Sequence, residues 1–379
     1  MTIKVSHVVR QYAPSVGGME DVVQNIARHQ LLQHGHAPTI ITLDRVFTRP
    51  AQTLPAADTI DGIPVIRLPY KGSSRYPIAP SVLAQLADAD VVHVHGVDFF
   101  YDYLAWTKWW HRRPLIASTH GGFFHTEFAS KLKNLYFKTV TRASSMAYDR
   151  IVGTSNNDGD LFRPIVSGSK LSVIENGVNV EKYSGKASLH LKPVAIYFGR
   201  WSANKGLAET ITLLRQLLAR DPSWQLIIAG REYDLSQDDL QHLVQQNQLA
   251  AHVQIVPNPS EQQLAGLIGQ SSYYICLSRH EGFGIAPIEG MSAGLVPLLS
   301  DIPPFRNLVT QSGLGLLINM ADLPASAANI AEIHRRGATD HSVRRQAVQQ
   351  FVDRYSWSRI ADRYIDIYKE LASPRSKHD

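Results

Sequence analysis

The stretch RHEGFGIAPIEG, residues 279–290, sets Glu281 and Glu289 eight positions apart with Gly282, Gly284 and Pro287 between them. One helical face would not interpose two glycines and a proline, so the carboxylates stand on different local structures directed at one place. Pro287 suits the first turn of a helix, with Gly282 and Gly284 shaping the turn before it. Glu281 then sits on the loop and Glu289 within the first turn or so of the helix. A helix N-terminus attracts phosphate, and carboxylates beside it accept hydrogen bonds from sugar hydroxyls. Such a segment could hold both ends of a nucleotide sugar, with a diphosphate between two hydroxyl-bearing rings. The competing reading, strongest for Glu289, is that the two acids merely complement the helix dipole.

Three further segments carry chemistry. In IYFGRWSANKGL, Arg200 and Lys205 lie just past a strand. A guanidinium fork and a compact ammonium together suit a diphosphate, and cations at a helix start oppose the dipole unless an anion is present. In LIASTHGGFFHTEF, His120 ends a strand before two glycines, where an imidazole can offer one hydrogen bond to a ligand. In QYAPSVGGMEDVV, Gly17 and Gly18 let backbone N–H groups approach a phosphate, though a plain turn explains them equally well. Two D-x-D triplets, Asp88/Asp90 and Asp158/Asp160, could suggest a metal site. Asp88 and Asp90 precede a strand, and Asp158 and Asp160 follow Ser155 as first-turn helix acids, so both triplets are read as structural and no metal site is expected.

These groups need a scaffold. Apolar β-branched runs alternate with helical segments: VSHVV, TIITL, PVIRL, VVHVH, PLIAST, RIVGT and SVIEN, then VAIYFG, WQLIIAG, HVQIV, YYICLS and VPLLS. Continuous apolar strands between helices indicate parallel sheets covered on both faces, and two such series in 379 residues indicate two doubly wound α/β domains. The boundary is expected near VNVEKYSGKASLHLKP, giving residues 1–185 and 190–354. The amphipathic WSRIADRYIDIYKELA, about 357–379, is expected to cross back to the first domain. Ligands of such sheets collect at the carboxyl ends of strands, where all four motifs lie.

Composition narrows the classes. Hydrophobic residues at 44% and charged residues at 19% describe a globular chain. A net charge of +5 does not by itself imply nucleic acid. The single cysteine, Cys276, lies in the apolar run YYICL, which reads as packing in a reducing compartment. No signal-peptide core or membrane-spanning run is evident, so a soluble or peripheral protein is expected. Between Trp106 and Arg142 lie seven Lys or Arg and one acid, Glu127, interleaved with aromatics that include Trp109 and Trp110.

GRWSANKGL with RHEGFGIAPIEG, an E-x7-E pattern, resembles the retaining glycosyltransferases of family 4, which have the GT-B architecture of two Rossmann-like domains facing across a cleft. VGGMEDVV, HVHGVDFFYDYL, STHGGFF, TSNNDGDLF, ENGV and SDIPPF extend the resemblance over nearly the whole chain. More narrowly, GSSRYPIAPS, HGVDFFYDYLA, THGGFFHT and SRHEGFGIAP are similar to the α-mannosyltransferase branch that acts in xanthan and acetan assembly. The resemblance implies an acceptor-binding first domain and a nucleotide-sugar-binding second domain. It implies GDP-mannose as donor and a cellobiosyl-type, polyprenyl-diphosphate-linked acceptor in bacterial exopolysaccharide synthesis, with no obligatory metal or cofactor.

Carried over residue by residue, the resemblance makes His120, Arg200, Lys205 and Glu281 the catalytic set. The donor-binding set adds Gly17, Gly18, Gly199, Arg231, Gly282, Phe283, Gly284, Ile285 and Glu289, with Glu289 on the ribose; Asn176 is a further cleft candidate. Lys131, Lys133, Lys138, Trp109 and Trp110 then suit docking of the first domain on the anionic inner face of the cytoplasmic membrane, where such an acceptor resides. Ordinary burial of the aromatics beneath solvated lysines is the alternative. A family 4 transferase with a UDP-sugar donor, a nucleotide-sugar epimerase on the same fold, and a nucleotide-dependent binding protein remain open at this level.

Overall fold

The computed structural model describes residues 2–74, 76–121, 134–337 and 339–373. The chain divides into two compact units, residues 1–177 with 357–379, and residues 178–356. The division lies eight residues earlier than the sequence pattern suggests. Val178 takes the Tyr355 carbonyl as its backbone partner at 2.8 Å, which ties 178–185 to the second unit.

The first unit is built on an eight-stranded sheet. From edge to edge it runs Leu171–Val173, Arg150–Gly153, Leu115–Ser118, Val91–His95, Lys4–Val9, Ala37–Leu43, Ile63–Leu68 and Ala57–Ile60. All pairings are parallel except the last, an antiparallel edge strand that the sequence reading missed. Alternation along the strands divides the core. Val8, Val92 and Val94 face Phe100, Tyr101 and Leu104, while Val5, Val91 and Ile116 face Ile26 and the C-terminal helix. That helix, Trp357–Ala372, sets Trp357, Ile360, Tyr364, Ile365 and Tyr368 on one buried stripe, so its place in the first unit follows from its 3.6-residue period.

The second unit has six parallel strands in the order Val253–Pro257, Gln225–Glu232, Val194–Trp201, Tyr273–Cys276, Val296–Ser300, Leu316–Ile318. Strand order reverses direction between Val194–Trp201 and Tyr273–Cys276. Those two strands share only the pairs Ala195↔Tyr273 and Ile196↔Tyr274 before they part. A crevice opens past their carboxyl ends, at the position where this sheet type binds ligands. Cys276 is 1% exposed inside the core, and burial pushes its thiol up, as a packing residue requires.

Candidate functional site in the second unit

The crevice receives two loops. One follows Trp201 and turns through Ala203–Lys205 into the helix Leu207–Leu218. The other runs from Leu277 into the helix Ile285–Ala293. They are joined by hydrogen bonds across 75 and 76 positions of sequence. Asn204 donates from Nδ2 to the His280 carbonyl at 2.9 Å, the His280 N–H donates to Asn204 Oδ1 at 3.1 Å, and the Arg279 N–H donates to the Asn204 carbonyl at 2.9 Å. Lys205 Nζ donates to Glu281 Oε1, which also accepts from Ser278 Oγ at 3.0 Å. The ammonium and the acidic loop therefore act as one body. Asn204 carries no signal in a linear reading, because it gains its role only through these distant partners, and Ser278 gains its role only once the local turn brings it to Glu281.

Gly206 closes the first loop at φ +66°, and a Cβ built there would lie 2.1 Å from the Leu277 carbonyl oxygen. Both the backbone angle and the close approach of the two loops demand glycine. Gly206→Ala is expected to lower stability by about 2–4 kcal/mol, measured as a shifted urea midpoint, and to separate the loops.

Arg200 and Arg231 are direct cross-strand partners at the ends of Val194–Trp201 and Gln225–Glu232. Both are exposed, and neither has an ion-pair partner among the described residues; Arg200 lies over the Tyr233 ring at 4.8 Å. Two like charges set side by side repel one another, and an anion between them removes the penalty. Gly199 precedes Arg200 in the same strand.

The helix Ile285–Ala293 takes Pro287 into its first turn, as expected. Gly284, at φ +95°, is its N-cap and Phe305 is 3.0 Å from where a Cβ would project, so Pro287 is the third helical residue. Proline is tolerated there because the first four N–H groups lack helical partners. Glu289 moves to the fifth position, in the second turn, and the first turn carries no acid. Its dipole is thus left uncompensated, as an anion site requires. Glu289 is half-buried, and burial raises its pKa while Lys182 opposes the shift. This is a carboxyl held apart from the helix end rather than a dipole complement. Gly282 and Ile285 are exposed, and Phe283 packs edge-on to Tyr355 at 5.6 Å. A neighbouring cavity of about 310 Å³ shares Asn204 with the loop junction but contains none of Arg200, Lys205, Glu281 or Glu289. The charged groups lie outside that cavity.

In the first unit, His120 follows the strand Leu115–Ser118 at φ +48°. The turn is fixed by Asp158, whose Oδ2 accepts from Thr119 Oγ1 at 2.9 Å, Thr154 Oγ1 at 2.9 Å and the Gly121 N–H at 2.8 Å. Asp158 is therefore the buried clamp behind His120 as well as the expected first-turn acid, with Ser155 as N-cap. Asp160 lies beyond the first turn, exposed and 3.1 Å from Arg163. Asp90 accepts the Lys4 N–H at 2.8 Å. The Asn176 side-chain oxygen is buried without a hydrogen bond.

Gly17 is the N-cap of Gly18–His34 in extended conformation, and Glu20 and Asp21 occupy the first turn. This helix end already carries two carboxylates, so it offers room for a hydroxyl-bearing ligand rather than a ready site for phosphate.

Of the basic and aromatic stretch, Trp106, Trp109 and Trp110 are exposed, as are Lys138 and Leu135, while Phe137 is core and Tyr136 donates to Asp102. Lys131 and Lys133 lie outside the described residues.

Comparison with known proteins accounts for this plan. Residues 181–350 match the model of glycosyl transferases group 1, and residues 16–182 that of glycosyltransferase family 4. The chain is 52% identical over 374 residues to a GDP-mannose:cellobiosyl-diphosphopolyprenol alpha-mannosyltransferase of Xanthomonas oryzae pv. oryzae, covering 98% of each chain. It is 41% identical over 370 residues to the enzyme of that name from Komagataeibacter xylinus, covering 98% of this chain and 94% of the other. In fold it is similar to a glycosyltransferase from Rickettsia africae, with a TM-score of 0.68 at 19% identity over 98% of this chain and 99% of the other. The chain is a glycosyltransferase of the GT-B fold and belongs to the family of the GDP-mannose:cellobiosyl-diphosphopolyprenol alpha-mannosyltransferases.

Proposed function

We propose that the protein transfers mannose from GDP-mannose, with retention at the anomeric carbon, to a polyprenyl-diphosphate-linked cellobiosyl acceptor in bacterial exopolysaccharide synthesis. The carrying observation is 52% identity to a relative of that name over 98% of both chains. The site is consistent with it. Breaking the anomeric bond places new negative charge on the leaving diphosphate. Arg200, Arg231, Lys205 and the acid-free N-terminus of Ile285–Ala293 are the groups that would stabilise it. In this reading Glu281 and the backbone of 282–284 hold the hexose, and Glu289 takes the ribose hydroxyls.

With cations already supplied by side chains, no divalent ion is required on the diphosphate. A radiolabelled donor screen on bacterial lipid extract, run with and without chelator, tests both points. GDP-mannose is expected to label the lipid fraction equally in the two arms. Labelling from a UDP-sugar alone, conversion of the donor without acceptor, or loss of labelling in chelator would contradict the reading.

No helix among the described residues is long and apolar enough to cross a membrane. Reaching a polyprenyl acceptor then calls for a peripheral contact with the inner leaflet, and the exposed Trp106, Trp109 and Trp110, with the exposed cations Arg112 and Lys138 in the same unit, suit an anionic surface. Trp109→Ala/Trp110→Ala is expected to weaken flotation with anionic vesicles about tenfold or more while leaving the fold intact. Unchanged flotation would assign docking elsewhere.

A further inference from the structure

Strand alternation sets His7, His93 and His95 on one face of the first unit's sheet, all at 1% exposure or less, beneath the helices Gly18–His34 and Trp357–Ala372. Three of the four imidazoles here form a line. Gln30 Oε1 lies 2.8 Å from His7 Nε2, His7 Nδ1 lies 3.0 Å from His95 Nε2, and His95 Nδ1 lies 3.1 Å from His120 Nε2. His93 stands beside this line, held by Tyr368 OH at 2.7 Å and Ser118 Oγ at 2.8 Å.

A neutral imidazole has one donor and one acceptor nitrogen, and an amide oxygen only accepts. With Oε1 turned to His7, and Gln30 Nε2 at the other end of the amide buried without a hydrogen bond among the described residues, the oxygen sets every proton along the line. His7 carries its proton on Nε2 and presents a bare Nδ1, so His95 must donate from Nε2, and His120 in turn from Nε2. The far atom, His120 Nδ1, is left bare and has no hydrogen bond among the described residues.

We propose that Gln30, His7 and His95 are positioning residues that fix His120 in its Nε2–H form, making Nδ1 a preset acceptor for a ligand hydroxyl. A hydroxyl of the transferred sugar or of the acceptor matches that atom; a phosphate oxygen, which has no proton to give, does not. That ligand class rests on the transferase reading, whereas the proton order does not. Burial holds the rings neutral near pH 7: His7 and His120 are lowered to about 4, and His93 and His95 well below their ordinary value.

The same three buried histidines have nitrogens within 4.8 Å of one another, close enough to suggest a cation. A cation would need His95 Nε2 bare, forcing its proton to Nδ1 and His120 into the opposite, Nδ1–H form. The two arrangements are thus mutually exclusive and distinguishable.

The test is the ring-nitrogen NMR spectrum of the full-length protein labelled at histidine, with His120 assigned by its loss in His120→Gln. His120 is expected as the Nε2–H tautomer. Gln30→Leu, which removes the anchoring oxygen without touching a ligand, is expected to convert it to a mixture and to lower kcat/KM about three- to tenfold, the scale of one hydrogen bond. His120 in the Nδ1–H form, stoichiometric metal in the purified protein, or an unchanged tautomer in folded Gln30→Leu would overturn the proposal. If Gln30→Leu does not fold, the wild-type spectrum alone decides. Correct tautomers in a protein without transferase activity would instead sink the function and leave the relay standing.

Discussion

Lys205→Ala is expected to lower kcat about 10²- to 10³-fold, the scale seen when one preorganised contact to developing charge is removed. The substitution has two consequences. It removes a cation placed for the leaving diphosphate, and it leaves Glu281, whose side chain is only 16% exposed, unpaired beside that anion. Glu281→Ala has the converse defect, since Lys205 loses the partner that holds it against the second loop. It is expected to cost a comparable factor, with Glu281→Gln milder because the amide oxygen still accepts from Lys205 and Ser278. Neither change should unfold the protein. The loops stay joined through Asn204, and Glu281 keeps the Ser278 hydroxyl as a partner in Lys205→Ala, so the loss is local. Circular dichroism and kcat measured on the same preparations separate the two effects. Wild-type turnover in either alanine variant would remove the pair from the mechanism.

Stability is expected to fall steeply as the pH drops from about 6.5 towards 4, through the buried histidines. In the native state His7 and His120 have pKa values lowered to about 4, and His93 and His95 lie lower still, mainly by burial. Unfolded histidine takes its proton near 6.5, so below that pH the unfolded chain binds more protons than the native one. The stabilisation is complete above 6.5 and is lost on acidification. Each such group contributes a slope of up to about 1.4 kcal/mol per pH unit within its window. The four are not additive, because a first protonation disturbs its neighbours. Asp98 opposes them: burial raises it to about 6 despite Arg10, so its native form binds the extra proton between the two carboxyl values. Asp21 and Glu289, also raised by burial, act in the same sense, and three carboxyls do not offset four imidazoles. Urea midpoints measured from pH 7.5 to 4.5 should decline by more than half across that range. A flat profile would show that the histidines are not buried neutral.

Both parallel sheets were legible because their strands are continuous apolar runs, such as VAIYFG and VVHVH, which only a sheet covered on both faces requires. The strand Ala57–Ile60 was not, since its side chains are largely exposed and leave no apolar signature. Arg200, Lys205, Glu281 and Glu289 could be singled out from residue type and from the rule that strand ends hold ligands. The first-turn place of Pro287 was legible but the exact start of Ile285–Ala293 was not, because proline fits any of the first four helical positions and only the Gly284 backbone selects among them. Asn204 was invisible because its partners lie 75 and 76 residues away, and Ser278 because a serine three residues before an acid has no distinguishing pattern until the loop is folded. Asp158 was recognised as a capping-turn acid and not as the clamp of the His120 turn, a role that exists only once two parallel strands lie side by side.

The central claim is that the crevice between the strands ending at Trp201 and Cys276 grips the donor. It is tested most directly by a crystal structure with GDP-mannose bound. The account predicts the diphosphate between Arg200, Arg231, Lys205 and the backbone N–H groups at the start of Ile285–Ala293, with the ribose hydroxyls on Glu289. A nucleotide seated elsewhere, with those side chains turned from it, would contradict it.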